Sequence, residues 1–201
     1  MDKHDTHDKY HAWSIGAHWL TLVLLVAVYA LILLREWYPK GSDPREAMKT
    51  WHFMLGLTVF GIVFVRIALR AAFRAPPITP APPALQRFAA AAMHLALYLF
   101  LIVMPVLGWL ALSADGKPIP FFGLHLPALI APNEGLAGNF EEIHETIGTI
   151  GYYLVGLHTA AALFHHYFVR DDTLLRMLPW RTRGKRGRFA PGNAGSPEAR
   201  T

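Results

Sequence analysis

The sequence contains no cysteine, so disulfides, thiolate catalysis, Cys-ligated clusters and any cofactor linked through a Cys-x-x-Cys-His motif are excluded. Charge is scarce as well. Asp, Glu, Lys and Arg make up 16% of the 201 residues, against roughly 25% in an average soluble domain. The deficit is concentrated: residues 10–34, 50–65, 88–114 and 146–169 hold none of the four. An apolar run of about eighteen or more residues almost free of charge reads as a transmembrane helix. Three of the stretches pass outright. The second passes with Arg66 and Arg70 at its end, snorkelling to the headgroups. An ordinary soluble enzyme is thereby excluded, and the pattern predicts an all-α membrane protein, a four-helix transmembrane bundle embedded in lipid.

The charge that remains is mostly basic, with a net of +5. Counted along the chain, fourteen of the nineteen Lys and Arg fall before the first helix, between the second and third, or after the fourth. The positive-inside rule therefore predicts a multi-pass protein with both termini in the cytoplasm. The basic run at 181–188 reads as a topology and lipid anchor, not as a site for nucleic acid. Met1-Asp-Lys-His-Asp is no clean basic leader and the first apolar segment is too long for one, so no cleaved signal peptide is expected.

Three parts follow: a polar cytoplasmic N-tail at 1–12, the bundle at 13–179, and a basic C-tail at 180–201 expected to be disordered. Helices are expected at 13–34, 48–70, 85–112 (kinked at Pro105) and 141–169. A proline-rich linker at 75–83 cannot be helical. A long outer loop at 113–142 carries an apolar patch at 121–130, expected to lie on the membrane interface or to lid the bundle. Trp13, Trp19, Trp37, Tyr38, Trp51 and Trp109 fall near helix ends, as an aromatic belt does.

Histidine is not scarce: there are eleven. His18, His52, His94, His144, His158, His165 and His166 lie in or at the ends of the apolar helices, where a polar side chain needs a partner and often marks function. The helices offer almost no carboxylates, which leaves a metal as the alternative. His144 and His158 are 14 residues apart, about 21 Å of rise and about 40° in direction, so they share one face but cannot hold one ion. Gly148, Gly151 and Ala162 on that face are expected to leave flat space for a porphyrin, and Gly56 further clearance one turn after His52. Helix direction pairs His52 with His144 on the outer side and His18 with His158 on the inner side. An iron with two axial imidazoles has no open position and suits electron transfer. His94 reads as a packing residue, with a bond to a propionate or a quinone as the alternative, His165 and His166 as ambiguous, and His4, His7 and His11 as a solvated tail.

The stretch His144-Glu-Thr-Ile-Gly-Thr-Ile-Gly-Tyr-Tyr-Leu-Val-Gly-Leu-His158, continuing through His165 to Pro179, resembles the fourth helix of the bacterial cytochrome b561 family. The His18-Trp19 pair, Trp51-His52 through Arg66, and the segment from His94 to Gly108 resemble its other helices in order. Within the family the similarity is greatest to members that are superoxide oxidases. The resemblance implies two b-type haems with axial ligands at His18, His52, His144 and His158, the oxidation of periplasmic superoxide to oxygen, and ubiquinone as electron acceptor. No catalytic residue is assigned by it.

An anionic substrate is drawn by positive potential, yet carboxylates outnumber cations on the outer face, so Lys49 and Lys117 are the local candidates. A quinone needs a group that donates a hydrogen bond and a proton; His165 is the candidate. The alternative is a cytochrome b subunit anchoring a partner redox protein, a dehydrogenase or hydrogenase, through the outer loop. A haem-free metal transporter is disfavoured by the lack of intramembrane carboxylates.

Overall fold

The computed structural model describes residues 9–179; His4, His7 and the basic stretch at 181–188 lie outside them. Four long helices dominate. α1 (Ala12–Leu34) is capped by the His11 ring, which accepts from the Trp13 N–H, and runs on into a 3-10 turn at Arg35–Trp37. α2 (Asp43–Ala72) opens with Pro in its first turn, where a missing N–H costs nothing, and with Asp43 and Glu46 at the positive end of the helix dipole. α3 (Ala84–Ala114) follows Pro83 and continues through Pro105. α4 (Glu134–Phe164) is capped by Asn133, whose side chain accepts from Leu136 N at 3.1 Å.

Two helices begin earlier than apolarity alone indicates: α2 at Asp43 rather than 48, and α4 at Glu134 rather than 141. α2 starts with a charged turn and α4 with one capped by Asn133, so both are helical before they become apolar. α3 has 31 residues, about 46 Å at 1.5 Å each, against about 30 Å of hydrocarbon. The ends of the helices therefore stand clear of the apolar layer.

All four helices are long and apolar enough to cross a membrane. α1 packs along α2, α3 along α4, and α2 against α3, around a small core of Val59, Val63, Phe100 and Leu101. Large apolar side chains such as Val26, Phe64, Leu99 and Leu157 point outward, as a lipid-facing surface requires.

At one end of the bundle both ends of the described chain meet. Tyr10 N–H donates to the Arg176 carbonyl at 3.3 Å and Trp19 Nε1 to the Met177 carbonyl at 2.7 Å. Arg176 donates to the Pro76 carbonyl, while Thr79 N–H donates to Asp172 at 3.1 Å. The segment after α4 thus clamps the proline-rich linker and the start of α1 together. His11, expected to be solvated, instead caps α1 and stacks on Phe73 with ring centroids 3.7 Å apart.

The opposite end is closed by part of the loop between α3 and α4. β1 (Ile119–Phe121) and β2 (Leu124–Leu126) form an antiparallel hairpin through Phe122 and Gly123, at φ +47° and +85°. A two-residue turn of this kind needs positive φ at both central positions, which glycine takes freely and phenylalanine resists. Tertiary contacts hold Phe122 there: its N–H lies 3.2 Å from Met54 Sδ and its ring centroid 6.2 Å from that of Trp51. The apolar patch at 121–130 is therefore partly folded against α2, with Trp109 Nε1 donating to the Pro127 carbonyl at 3.0 Å. Arg45, only 8% exposed, binds both Glu36 carboxylate oxygens and the carbonyls of Arg35 and Tyr38, which fixes the turn from α1 to α2.

Candidate functional site

The helices bring four of the intramembrane histidines together as two pairs. His52 of α2 faces His144 of α4 near the hairpin end, with ring centroids 6.3 Å apart. His18 of α1 faces His158 of α4 toward the termini end, again at 6.3 Å. An imidazole nitrogen lies about 2 Å from a metal it ligates and about 1 Å from its ring centre, so two rings on opposite sides of one ion have centroids about 6 Å apart. Both pairs meet that spacing. Among the described residues no group of three or more His, Cys, Asp or Glu converges as a site for a bare ion. A macrocycle that brings its own four nitrogens needs only the two axial ligands each pair offers.

The pair near the hairpin end is well prepared for that role. His52 Nδ1 lies 2.9 Å from the Val28 carbonyl. A carbonyl only accepts, so Nδ1 carries the hydrogen and the lone pair sits on Nε2, the arrangement that second-shell bonds impose on ligating histidines. His144 Nδ1 is buried against the Met104 carbonyl without normal hydrogen-bond geometry, and a Cβ at Gly108 would stand 3.3 Å from its ring. A cleft of about 870 Å³ runs beside both rings, with Gly56, Gly108 and Gly148 in its wall, within the range of cofactor pockets. A Cβ on Gly56 would meet nothing within 4 Å, so its clearance is real.

Gly151 does not provide the flat space expected of it, whereas Gly148 lines the cleft but lies against Met104. Both are buried. A Cβ at Gly151 would run into Phe100 and the Tyr29 hydroxyl, and one at Gly148 would touch Met104 at 3.4 Å. Tyr29 Oη donates to the Gly148 carbonyl at 2.7 Å, and its ring lies 4.3 Å from that of Tyr152. These glycines admit close packing between the two pairs, so the middle of the bundle is filled with rings.

The pair toward the termini end has additional neighbours. His94 of α3, expected to be a packing residue, has its ring centroid 5.8 Å from that of His158. Arg66 of α2 places a guanidinium nitrogen 3.3 Å from His18 Nδ1. Arg66 follows His52 by the same 14 residues that separate His144 and His158, and that spacing is the sequence signal that marks it.

His165 sits beyond this pair, in a π-helical turn (His165–Val169) that Arg170 ends at φ +60°; such turns recur at functional sites. Its Nδ1 lies 2.5 Å from Asp171 Oδ2, and the Asp171 side chain is 1% exposed. Burial alone would raise the Asp171 pKa, but the His165 ring and Thr173 hold the carboxyl below its usual range. Asp171 had no sequence signal, because only the turn after α4 folds it back.

At the mouth of the cleft carboxylates outnumber cations. Lys49 is bound to Glu46 at 2.9 Å and Lys117 to Asp115 at 2.5 Å, and the Asp115 carboxylate raises the Lys117 pKa.

Comparison with known proteins gives concordant matches. The family model of prokaryotic cytochrome b561 matches residues 9–180. "Cytochrome b561 homolog 1" of Escherichia coli (strain K12) is 38% identical over 174 residues, 87% of this chain and 99% of that protein. "Probable superoxide oxidase CybB" of Yersinia pestis is 35% identical over 173 residues, 86% of this chain and 97% of that protein. "Cytochrome b561 homolog 2" of Escherichia coli (strain K12) is 31% identical over 182 residues, covering 87% and 93%.

Proposed function

Because the chain belongs to the prokaryotic cytochrome b561 family of haem-binding membrane electron-transfer proteins, we propose that it is a di-haem oxidoreductase, taking electrons from superoxide and delivering them to ubiquinone. The observation that carries the di-haem part of this reading is the equal 6.3 Å spacing of two imidazole pairs at two levels of one bundle; the superoxide part rests on the likeness to the Yersinia pestis protein. His52 and His144 would hold one haem b, and His18 and His158 the other. Each haem, when bound, supplies a one-electron carrier. The domain runs from 13 to 179, and both termini face the cytoplasm of a bacterium whose inner membrane holds the bundle. The hairpin end is then periplasmic.

The reaction balances simply. Two superoxide anions each lose one electron and leave as oxygen; ubiquinone gains two electrons and two protons. On the periplasmic side Lys49 and Lys117 are the residues that receive the anion. Their present partners are surface carboxylates, and such pairs are worth only about 0–1 kcal/mol, so either ammonium can turn to an incoming anion. On the cytoplasmic side His165, its Nδ1–H held by Asp171, would meet a quinone oxygen through Nε2, which donates a hydrogen bond and a proton only when both ring nitrogens carry hydrogen.

The test is direct. Purified protein carries close to two b-type haems per chain, and superoxide added to the quinone-containing protein reduces them rapidly. A colourless preparation overturns the di-haem reading. Haems that only a partner dehydrogenase or hydrogenase can reduce overturn the superoxide reading in favour of an electron-carrying subunit.

A further inference from the structure

Four helices converge at the level of His18 and His158: α1 with His18, α2 with Arg66, α3 with His94 and Tyr98, and α4 with His158. The Arg66 guanidinium is 3.3 Å from His18 Nδ1, and its central carbon lies 5.6 Å from the Tyr98 ring centroid. No carboxylate pairs with it among the described residues. A guanidinium keeps its charge, and a cation drawn away from water is costly without an anion. The protein has none to give here. α1 and α3 contain no Asp or Glu, and α2 none after Glu46. Asp171 is engaged by His165 and Thr173, and Asp172 by Thr79 and Arg176.

We propose that Arg66 is the anchor for the propionate carboxylates of the haem held by His18 and His158. The proposal rests on the di-haem reading. It identifies the missing anion as part of the cofactor. Arg70, one helical turn further along α2, adds a second cation on the same side.

The experiment uses the purified holoprotein with Arg66→Gln and Arg66→Lys. Haem per chain is counted, both midpoints are titrated, and haem labelled with ¹³C at its propionate carboxylates is followed by redox-difference infrared spectroscopy. Arg66→Gln is expected to fall from two haems to one. Where both haems stay, removing the cation lowers the reduced-to-oxidised ratio of the inner haem at least tenfold at fixed ambient potential, about 59 mV for one electron. The outer haem reports on folding. If Arg66→Gln is not recovered, Arg66→Lys decides, because its labelled carboxylate bands must move relative to the parent chain. Two haems with unmoved midpoints in Arg66→Gln, or unmoved bands in Arg66→Lys, overturn the proposal alone. So does a chain that keeps two haems with His18→Ala but loses one with His94→Ala. A parent chain with fewer than two haems overturns the di-haem reading and this proposal with it.

Discussion

Gly151 is the point at which one methyl group should cost most. In the helix interior Ala is favoured over Gly by about 1 kcal/mol, so on propensity alone Gly151→Ala stabilises α4. The structure reverses the sign. The added Cβ would run into the ring of Phe100 and the hydroxyl of Tyr29, and Phe100 is itself only 7% exposed, in the core with Val59 and Val63. Neither group is the free end of a flexible chain. Forcing a methyl into such a place costs about 1–3 kcal/mol. Moving Tyr29 aside also breaks its 2.7 Å bond to the Gly148 carbonyl, worth about 1 kcal/mol. The net is a destabilisation of about 1–3 kcal/mol. Gly156 is the control: it lies on the same helix, and a Cβ there meets nothing within 4 Å, so Gly156→Ala should be neutral or stabilising by up to about 1 kcal/mol. Thermal unfolding in detergent micelles, followed by near-ultraviolet circular dichroism, reads both. If Gly151→Ala melts with the parent chain, or Gly156→Ala loses as much, the packing argument is wrong.

Two further outcomes are expected. His158→Ala should drop the haem count from two per chain to one and leave the other haem's spectrum intact; an unchanged count refutes the pairing with His18. Asp171→Asn should lose about 1.5–3 kcal/mol, the worth of a hydrogen bond to a charged group. The Asp171 carboxyl is held below its usual range. Its contribution is therefore complete above about pH 4 and fades as pH falls through the lowered value, so the stability curves of the two chains should converge in strong acid and stay apart at neutrality. Parallel curves down to pH 2 contradict this.

The parts of the molecule legible in the sequence were those governed by periodicity. Charge-free runs located the four helices, and the 14-residue step from His144 to His158 located two levels within the bundle. What escaped was governed by contact across distance. Apolarity marks the lipid-embedded part of a helix, not a charged or capped start, so it does not reveal the first turns at Asp43 and Glu134. Gly151 is visible as a missing side chain, but sequence does not say who fills the space, and Tyr29 and Phe100 fill it. His94 read as isolated because its neighbour His158 is 64 positions away. Asp171 joined His165 only because the chain turns sharply at Arg170. The hairpin at 119–126 was hidden by its prolines and by a phenylalanine in a conformation phenylalanine rarely takes.

The clamp that joins the segment after α4 to the proline-rich linker and to α1 has a consequence for timing. Its groups, from Asp172 to Met177, are the last of the described chain to leave the ribosome, whereas Pro76, Thr79 and Trp19 are among the early ones. During synthesis the first three helices can cross the membrane and pack, but the end of the bundle around His165 stays open until α4 has crossed and turned back. Closure of that end is thus a late event in biogenesis, and an incompletely inserted chain has no assembled route from the bundle to the side where the termini meet.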